Sequence, residues 1–244
     1  MIVYLADLAH DYLPARQFVP LGIGYLASYS KSIFGEKVEF HLFKSVDKLL
    51  DECEVCEPDL VGFANYTWNE RLNAFAGGRL KKEFPELPIV MGGPNIDIDE
   101  KGIGVFLGKY PFVDVYCMYS GEVSFSNIIQ LCLENPTKNT RVEMLRSAPV
   151  SGGYSLFKGN LLGSPSNSKD SDLDFIPSPY LTGTLDPFLK EGFIPLIETN
   201  RGCPFLCTFC VWGVAALNKI QKFSVDRVYR DLDYVTQIGK NYPN

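Results

Sequence analysis

The sequence is short of histidine, of clustered positive charge and of long apolar runs, and each shortage excludes something. Its only histidines, His10 and His41, stand far from the cysteine-rich stretch at 203–210. A structural zinc site would recruit histidine there, or pair two C-x2-C units across a longer gap. Lys and Arg total 23 against 29 Asp and Glu, a formal net charge of −6. A surface that tracks phosphates needs clustered Lys and Arg, so nucleic acid is not an expected partner. No run approaches the roughly 18 apolar residues of a membrane span, so no membrane is expected either. The opening Met1-Ile2-Val3-Tyr4-Leu5-Ala6-Asp7 has no basic segment and meets an acid at once, unlike a signal peptide. Seven cysteines, an odd number without a disulfide-like framework, suit a reducing cytoplasm.

What is present is enough for a packed core. Apolar residues make up 46% of 244 positions, which allows one or two domains. Short apolar runs at Ile2–Leu5, Val38–Leu42, Leu60–Phe63, Pro88–Met91 and Val113–Cys117 predict five strands. Helices are expected from Pro20 to Phe34, from a Ser45 cap through Cys53, from an Asn69 cap through Phe84, and from Ser124 to Leu133. That alternation argues a parallel, Rossmann-like (flavodoxin-like) α/β sheet, whose ligands bind beyond the carboxyl ends of its strands. The first domain is placed at 1–135. A small β excursion (Arg141 to Leu162, turning at Lys158-Gly159-Asn160) and a polar linker (Ser164 to Ser178) are expected within 136–192. Residues 193–244 hold an apolar run (Phe193 to Ile197) read as a strand, the cysteines, and an amphipathic helix capped by Ser224 through Val228, Leu232 and Val235. A β/α barrel needs about 200 residues or more, so the chain is expected to carry only the front of such a second domain.

Cys203, Cys207 and Cys210 are spaced C-x3-C-x2-C directly after that apolar run. Thiolates select iron–sulfur clusters or zinc over hard cations, and three ligands on a four-iron cube leave one iron open. Zinc, or plain core cysteines, are the competing readings. With Arg201-Gly202 before the first cysteine and Phe209 before the last, the motif resembles the radical S-adenosylmethionine superfamily. The resemblance implies a [4Fe-4S] cluster held by Cys203, Cys207 and Cys210, with S-adenosylmethionine on the open iron. It also implies reductive cleavage to a 5′-deoxyadenosyl radical, a partial TIM-type barrel opening with its first β/α unit, and Phe209 near the adenine.

Three strand-end loops add a second resemblance. Ala64-Asn65-Tyr66-Thr67-Trp68 follows the third strand, Gly92-Gly93 the fourth and Gly121-Glu122 the fifth. In order and spacing they resemble the cobalamin-binding domain that precedes many radical S-adenosylmethionine modules. The resemblance implies that Ala64, Tyr66, Trp68, Gly92, Gly93, Gly121 and Glu122 contact cobalamin. Ala64 stands where the family often has serine, which removes one hydroxyl donor. Tyr66 and Trp68 have core packing as their competing reading. Many cobalamin proteins carry D-x-H-x-x-G after the first strand, the histidine binding cobalt. Here Asp7-Leu8-Ala9-His10 offsets the histidine by one and no glycine follows, so His10 is expected to be a loop histidine, and His41 a structural one. Without a histidine, Trp68 is expected beneath the corrin, keeping water off the metal.

Other motifs have plainer readings. Gly22-x-Gly24-x-x-Ala27 fits a dinucleotide fingerprint on paper, but about fifteen residues separate it from the first strand. Close helix packing is the expected role of these glycines. Cys53-x2-Cys56 lies among Asp51, Glu52, Glu54 and Glu57, and reads as structural, as do Cys117 and Cys132. Taken together, the resemblances imply a cobalamin-dependent radical S-adenosylmethionine enzyme that methylates an unactivated carbon. A small-molecule substrate and an electron donor such as flavodoxin or ferredoxin are the implied partners. A non-methylating cyclase or rearrangement enzyme, a methylthiotransferase and a non-catalytic corrinoid-binding protein stay open. No residue stands out as a catalytic acid or base.

Overall fold

The computed structural model describes residues 1–10, 12, 17–118, 120–148, 150–165, 172–205, 207–208, 210 and 219–241. The chain divides into two compact units, Met1–Arg16 with Tyr29–Asn167, and Gln17–Ser28 with Ser168–Asn244.

The first unit is built on five parallel strands: β1 (Ile2–Ala6), β2 (Glu39–Phe43), β3 (Leu60–Ala64), β4 (Ile89–Gly92) and β5 (Val115–Cys117). Their order, β2-β1-β3-β4-β5, is the flavodoxin-like arrangement, with its switch point between β1 and β3. Strands covered on both faces read as continuous apolar runs, which is why the sequence exposes them so clearly. Tyr4, Phe63, Leu80, Ile89, Met91 and Tyr116 pack in one core, each burial contributing about 1.5–3 kcal/mol. The connecting helices are α1 (Leu21–Phe34), α2 (Val46–Val55), α3 (Glu70–Glu83), α4 (Glu100–Lys109), α5 (Gly121–Glu134) and α6 (Lys138–Ser147). Ser45 caps α2 through its hydroxyl, which accepts from the Lys48 amide, and Gly35 leaves α1 at φ +56°.

Several expectations need correction. Helix α4 was not anticipated: Gly102, Gly104 and Gly108 dilute its periodicity, yet parallel β4 and β5 require a crossover. Residues 141–147 are helix, not strand; Thr137 caps α6, and Arg141 and Leu145, four apart, face inward. Arg141 is held there by Asp59 (2.7 Å) and by the Cys132 and Asn135 carbonyls. The hairpin of β6 (Gly153–Phe157) and β7 (Asn160–Gly163) turns at Lys158 and Gly159, both with positive φ. It pairs antiparallel onto β5 and extends the sheet to seven strands.

In the second unit, α7 (Asp186–Lys190), β8 (Asn200–Arg201), β9 (Gln221–Lys222) and α8 (Val225–Asn241) are joined by irregular chain. The 193–197 run, expected as a strand, pairs through a single bridge between Ile194 and Phe18. Tyr180 anchors it by donating to the Leu196 carbonyl (2.6 Å) and accepting from the Leu196 amide. The supposed linker is partly packed, since Leu173, Ile176 and Ser178 are buried. Ser224 does cap α8, but the helix presents Val225 and Leu232 to solvent and buries Arg227 and Asp231. The ion pair those two form, 3.2 Å, makes a charged face the buried one. Among the described residues no helix is long and apolar enough to cross a membrane.

Candidate functional site

In the first unit the carboxyl-end loops meet at the switch point. Asp7, just past β1, pairs with Lys44 at 3.1 Å and accepts from the Asn69 amide group at 3.4 Å. Burial pushes the Asp7 carboxyl up, against the pull of Lys44. Asn69 was expected to cap α3; its side chain instead turns back to accept from the Tyr66 amide (2.8 Å) and from Asn73 (3.2 Å). Asn73 in turn donates to the Ala64 carbonyl (3.0 Å). The loop after β3 is thus wound around its own buried asparagines.

Asn65 ties that loop to the next. Its backbone amide donates to the Gly92 carbonyl (2.6 Å), and its side chain donates to the Asn95 carbonyl and to the Tyr116 hydroxyl. Tyr116 then donates to the Gly93 carbonyl (2.8 Å). Gly93 has φ +132°, and a Cβ there would stand 2.4 Å from the Asn65 carbonyl oxygen. That glycine is required by the protein's own backbone. Outside this knot, Glu70 accepts from Tyr110, Lys109 and Asn95, and the Tyr110 hydroxyl leads in holding its carboxyl down at about 2.

The residues singled out from the sequence fall as follows. Ala64 and Gly92 are paired in register, and Gly92 with Cys117, forming a row of small residues at the carboxyl edge. Tyr66 and Trp68 stack face to face, centroids 4.5 Å apart and planes within 5°. Trp68 is 45% exposed, so core packing does not explain it. Gly121 and Glu122 form the first turn of α5, where Glu122 is buried. His10 packs beside Tyr12, while His41 pairs with Glu39 (3.0 Å) and packs on Tyr4. Sequence reading missed Asn65, Asn69 and Asn73 as a framework; their even spacing of four was the available signal, and the structure buries all three.

Gly22 and Gly24 lie on α1 rather than in a phosphate-binding turn. A Cβ on Gly24 would meet Leu185 and Pro179 at 3.1 Å, which accounts for that glycine by packing. Burial raises the thiols of Cys53, Cys117 and Cys132 to about 12 each, leaving them inert. In the second unit Cys203 and Cys210 are half-buried, Cys207 is exposed and all are free. The Cys210 amide donates to the Cys207 carbonyl (3.1 Å), a turn between the last two cysteines. Among the described residues no group of three or more His, Cys, Asp or Glu side chains is gathered as a metal site. Phe209 lies outside the described residues.

No family model matches the chain. It is 30% identical over 230 residues to the cobalamin-dependent radical SAM methyltransferase TokK of Streptomyces tokunonensis, covering 89% of this chain and 32% of TokK. It is 28% identical over 238 residues to the 2-(S-pantetheinyl)-carbapenam-3-carboxylate methyltransferase of Streptantibioticus cattleyicolor, covering 92% of this chain and 33% of that protein. Any contiguous 89% of the chain contains both the 64–122 loops and residues 203–210. The chain is a homologue of the cobalamin-dependent radical S-adenosylmethionine proteins. It spans about a third of the length of the curated relatives it matches. The fold agrees: OxsB, a cobalamin-dependent S-adenosylmethionine radical enzyme with aqua-cobalamin and S-adenosylmethionine bound, matches at TM-score 0.73 and 17% identity, covering 99% of this chain and 32% of OxsB.

At the carboxyl ends of β3, β4 and β5, the flat stack of half-buried Tyr66 on exposed Trp68 and the row of small residues suit a planar, largely apolar ring better than a charged ligand. In the second unit three free thiols suit a thiophilic iron centre. Such a site is ordinarily completed by its metal rather than formed in advance.

Proposed function

We propose that this chain holds cobalamin at the carboxyl ends of β3, β4 and β5 and a [4Fe-4S] cluster on Cys203, Cys207 and Cys210, as part of a radical S-adenosylmethionine methyltransferase. The observation that carries the reading is the similarity to two methyltransferases over a stretch that includes the strand-end loops and the cysteine triad alike. When bound, the cluster supplies the electron that cleaves S-adenosylmethionine to a 5′-deoxyadenosyl radical, and cobalamin supplies the methyl group for an unactivated carbon.

The chain's own residues have separable tasks in this proposal. Cys203, Cys207 and Cys210 would hold the cluster as thiolate ligands, and Phe209 would lie beside S-adenosylmethionine. Ala64, Gly92 and Gly93 keep side chains out of the corrin's way, while Gly121 and Glu122 border its tail. Trp68, supported by Tyr66, would cover bound cobalamin and exclude water from its metal. Asn65, Asn69 and Asn73 hold that aromatic pair in place without touching the cofactor. The substrate is a small molecule, the electron comes from a flavodoxin or ferredoxin, and a reducing cytoplasm keeps the thiols available.

Anaerobic reconstitution tests the proposal. The chain should take up about one cobalamin and about four iron and four sulfide, numbers set by the two cofactors themselves. Cobalamin uptake without iron would leave a corrinoid-binding protein. In a complete enzyme carrying this chain, a labelled methyl donor should label the product; its absence would favour ring closure or rearrangement.

A further inference from the structure

The two ends of the cysteine segment are held together at a narrow neck in the second unit. Arg201 is the last residue before it and Gln221 faces Arg201 across the β8–β9 pairing, so the residues that flank 202–220 lie side by side. Gly202 turns the chain out of the neck at φ +91°, directly into Cys203. The Phe223 amide donates to the Thr199 carbonyl (3.1 Å), and the Leu173 amide to the Lys222 carbonyl, on the same short ladder.

Two residues per strand is little backbone pairing for a loop of that length, since closing it costs entropy that two short strands repay poorly. Side chains from four distant parts of the sequence converge on this neck. The Arg201 guanidinium lies 5.2 Å from the Tyr25 ring centroid. Tyr25, from α1, stacks on Phe223 with centroids 5.8 Å apart and planes within 12°. Phe223 carries the Arg227 guanidinium at 5.2 Å. Each cation has its own carboxylate. Glu198 takes Arg201 through Nε and Nη2 (3.0–3.2 Å), and Asp231 takes Arg227. Asp231 is fixed further by the Ser178 hydroxyl (2.6 Å), and Arg227 donates to the Ile176 carbonyl.

Ordinary core packing does not account for this choice of residues. Arg227 is 4% exposed and leaves its Nη2 without a partner, a cost that leucine or methionine would avoid. What the charged and aromatic residues add is directionality, because cation–π contacts and bidentate ion pairs fix orientation as well as proximity.

The geometry points to a cation–π clamp, Arg201–Tyr25–Phe223–Arg227, that closes the neck of the cysteine loop and presets Cys203 for its iron. These are positioning residues, and the inference rests on the reading of Cys203, Cys207 and Cys210 as cluster ligands. The clamp would act before any metal arrives, by keeping the strands on either side of the loop together. It would act again afterwards, by slowing the opening through which iron is lost.

Hydrogen exchange on the metal-free chain and iron stripping from the reconstituted chain test it together. In Tyr25→Leu, peptides spanning 198–202 and 220–224 should exchange roughly tenfold faster than wild type, the scale of one lost cation–π contact. Peptides from α7, in the same unit, and from β3 and β4 should be unchanged, which checks that the variant folds. A chelator should strip its iron several-fold faster, and Tyr25→Phe, which keeps the ring, should restore both rates. Arg201→Lys keeps the charge but loses the planar fork, and should behave like Tyr25→Leu. Wild-type exchange at the neck in both Tyr25→Leu and Arg201→Lys would overturn the clamp. Failure of the wild type to take up iron would instead sink the cluster reading, with neck exchange still deciding the clamp.

Discussion

Gly93 shows how a single residue can satisfy two demands. Its φ of +132° and the 2.4 Å approach of a virtual Cβ to the Asn65 carbonyl mean that alanine cannot be placed there without moving a backbone. Gly93→Ala should cost about 2 kcal/mol or more in thermal or urea unfolding, with cobalamin uptake reduced alongside. Trp68 is the converse case, because its half-exposed ring carries little of the fold. Trp68→Ala should unfold within about 0.5 kcal/mol of wild type, yet change the optical spectrum of bound cobalamin. An unchanged cobalt spectrum would remove Trp68 from the lower face. Glu70 gives a residue-scale pH dependence. Its folded value of about 2, below the ordinary 4.5, means its contribution is present above pH 4.5 and is lost as pH falls toward 2. The stability difference between wild type and Glu70→Gln should therefore shrink across that window in acid unfolding.

At the scale of elements, Asp114 connects more of the sheet than its sequence suggests. It is wholly buried just before β5, accepts from the Ile89 amide, and pairs with Lys81 of α3 (2.8 Å) and Arg146 of α6 (2.6 Å). Removing it leaves two cations facing each other without an anion. Asp114→Ala should lose about 3 kcal/mol, read from urea unfolding, whereas Arg146→Ala, on a more exposed partner, should lose less. Strands were legible because a sheet covered on both faces needs unbroken apolar runs. Helix α6 was not, because its inward face carries Arg141, whose burial depends on Asp59 some eighty residues away. Helix α8 was found, but its face was misjudged for the same reason: Arg227 is inside because Asp231, Phe223 and Ile176 receive it.

For the whole molecule, the two units carry different cofactor tasks in the proposal, and the tasks should separate in experiment. A variant with Cys203, Cys207 and Cys210 all replaced by alanine should take up no iron while retaining cobalamin at wild-type stoichiometry, measured by optical titration. Gly93→Ala should retain iron at wild-type stoichiometry while its cobalamin uptake falls. Loss of both cofactors in either variant would mean that the two sites are not independent.

The sequence by itself determined the parallel sheet, the order of the strand-end loops and the cysteine spacing, because each is written in local periodicity or in a motif of fixed length. It also placed Gly92-Gly93 and the Tyr66–Trp68 loop at the carboxyl edge. Only the tertiary structure decided that Gly93 answers to Asn65, that Asn69 folds back instead of capping α3, and that the β6–β7 hairpin joins the sheet. Only it, too, could bring Tyr25 and Arg227, two hundred residues apart, to the neck of the cysteine loop. Periodicity reports which side of an element is apolar. It does not report which distant partner makes a buried charge or a positive φ tolerable, and those partners set the geometry of both candidate sites.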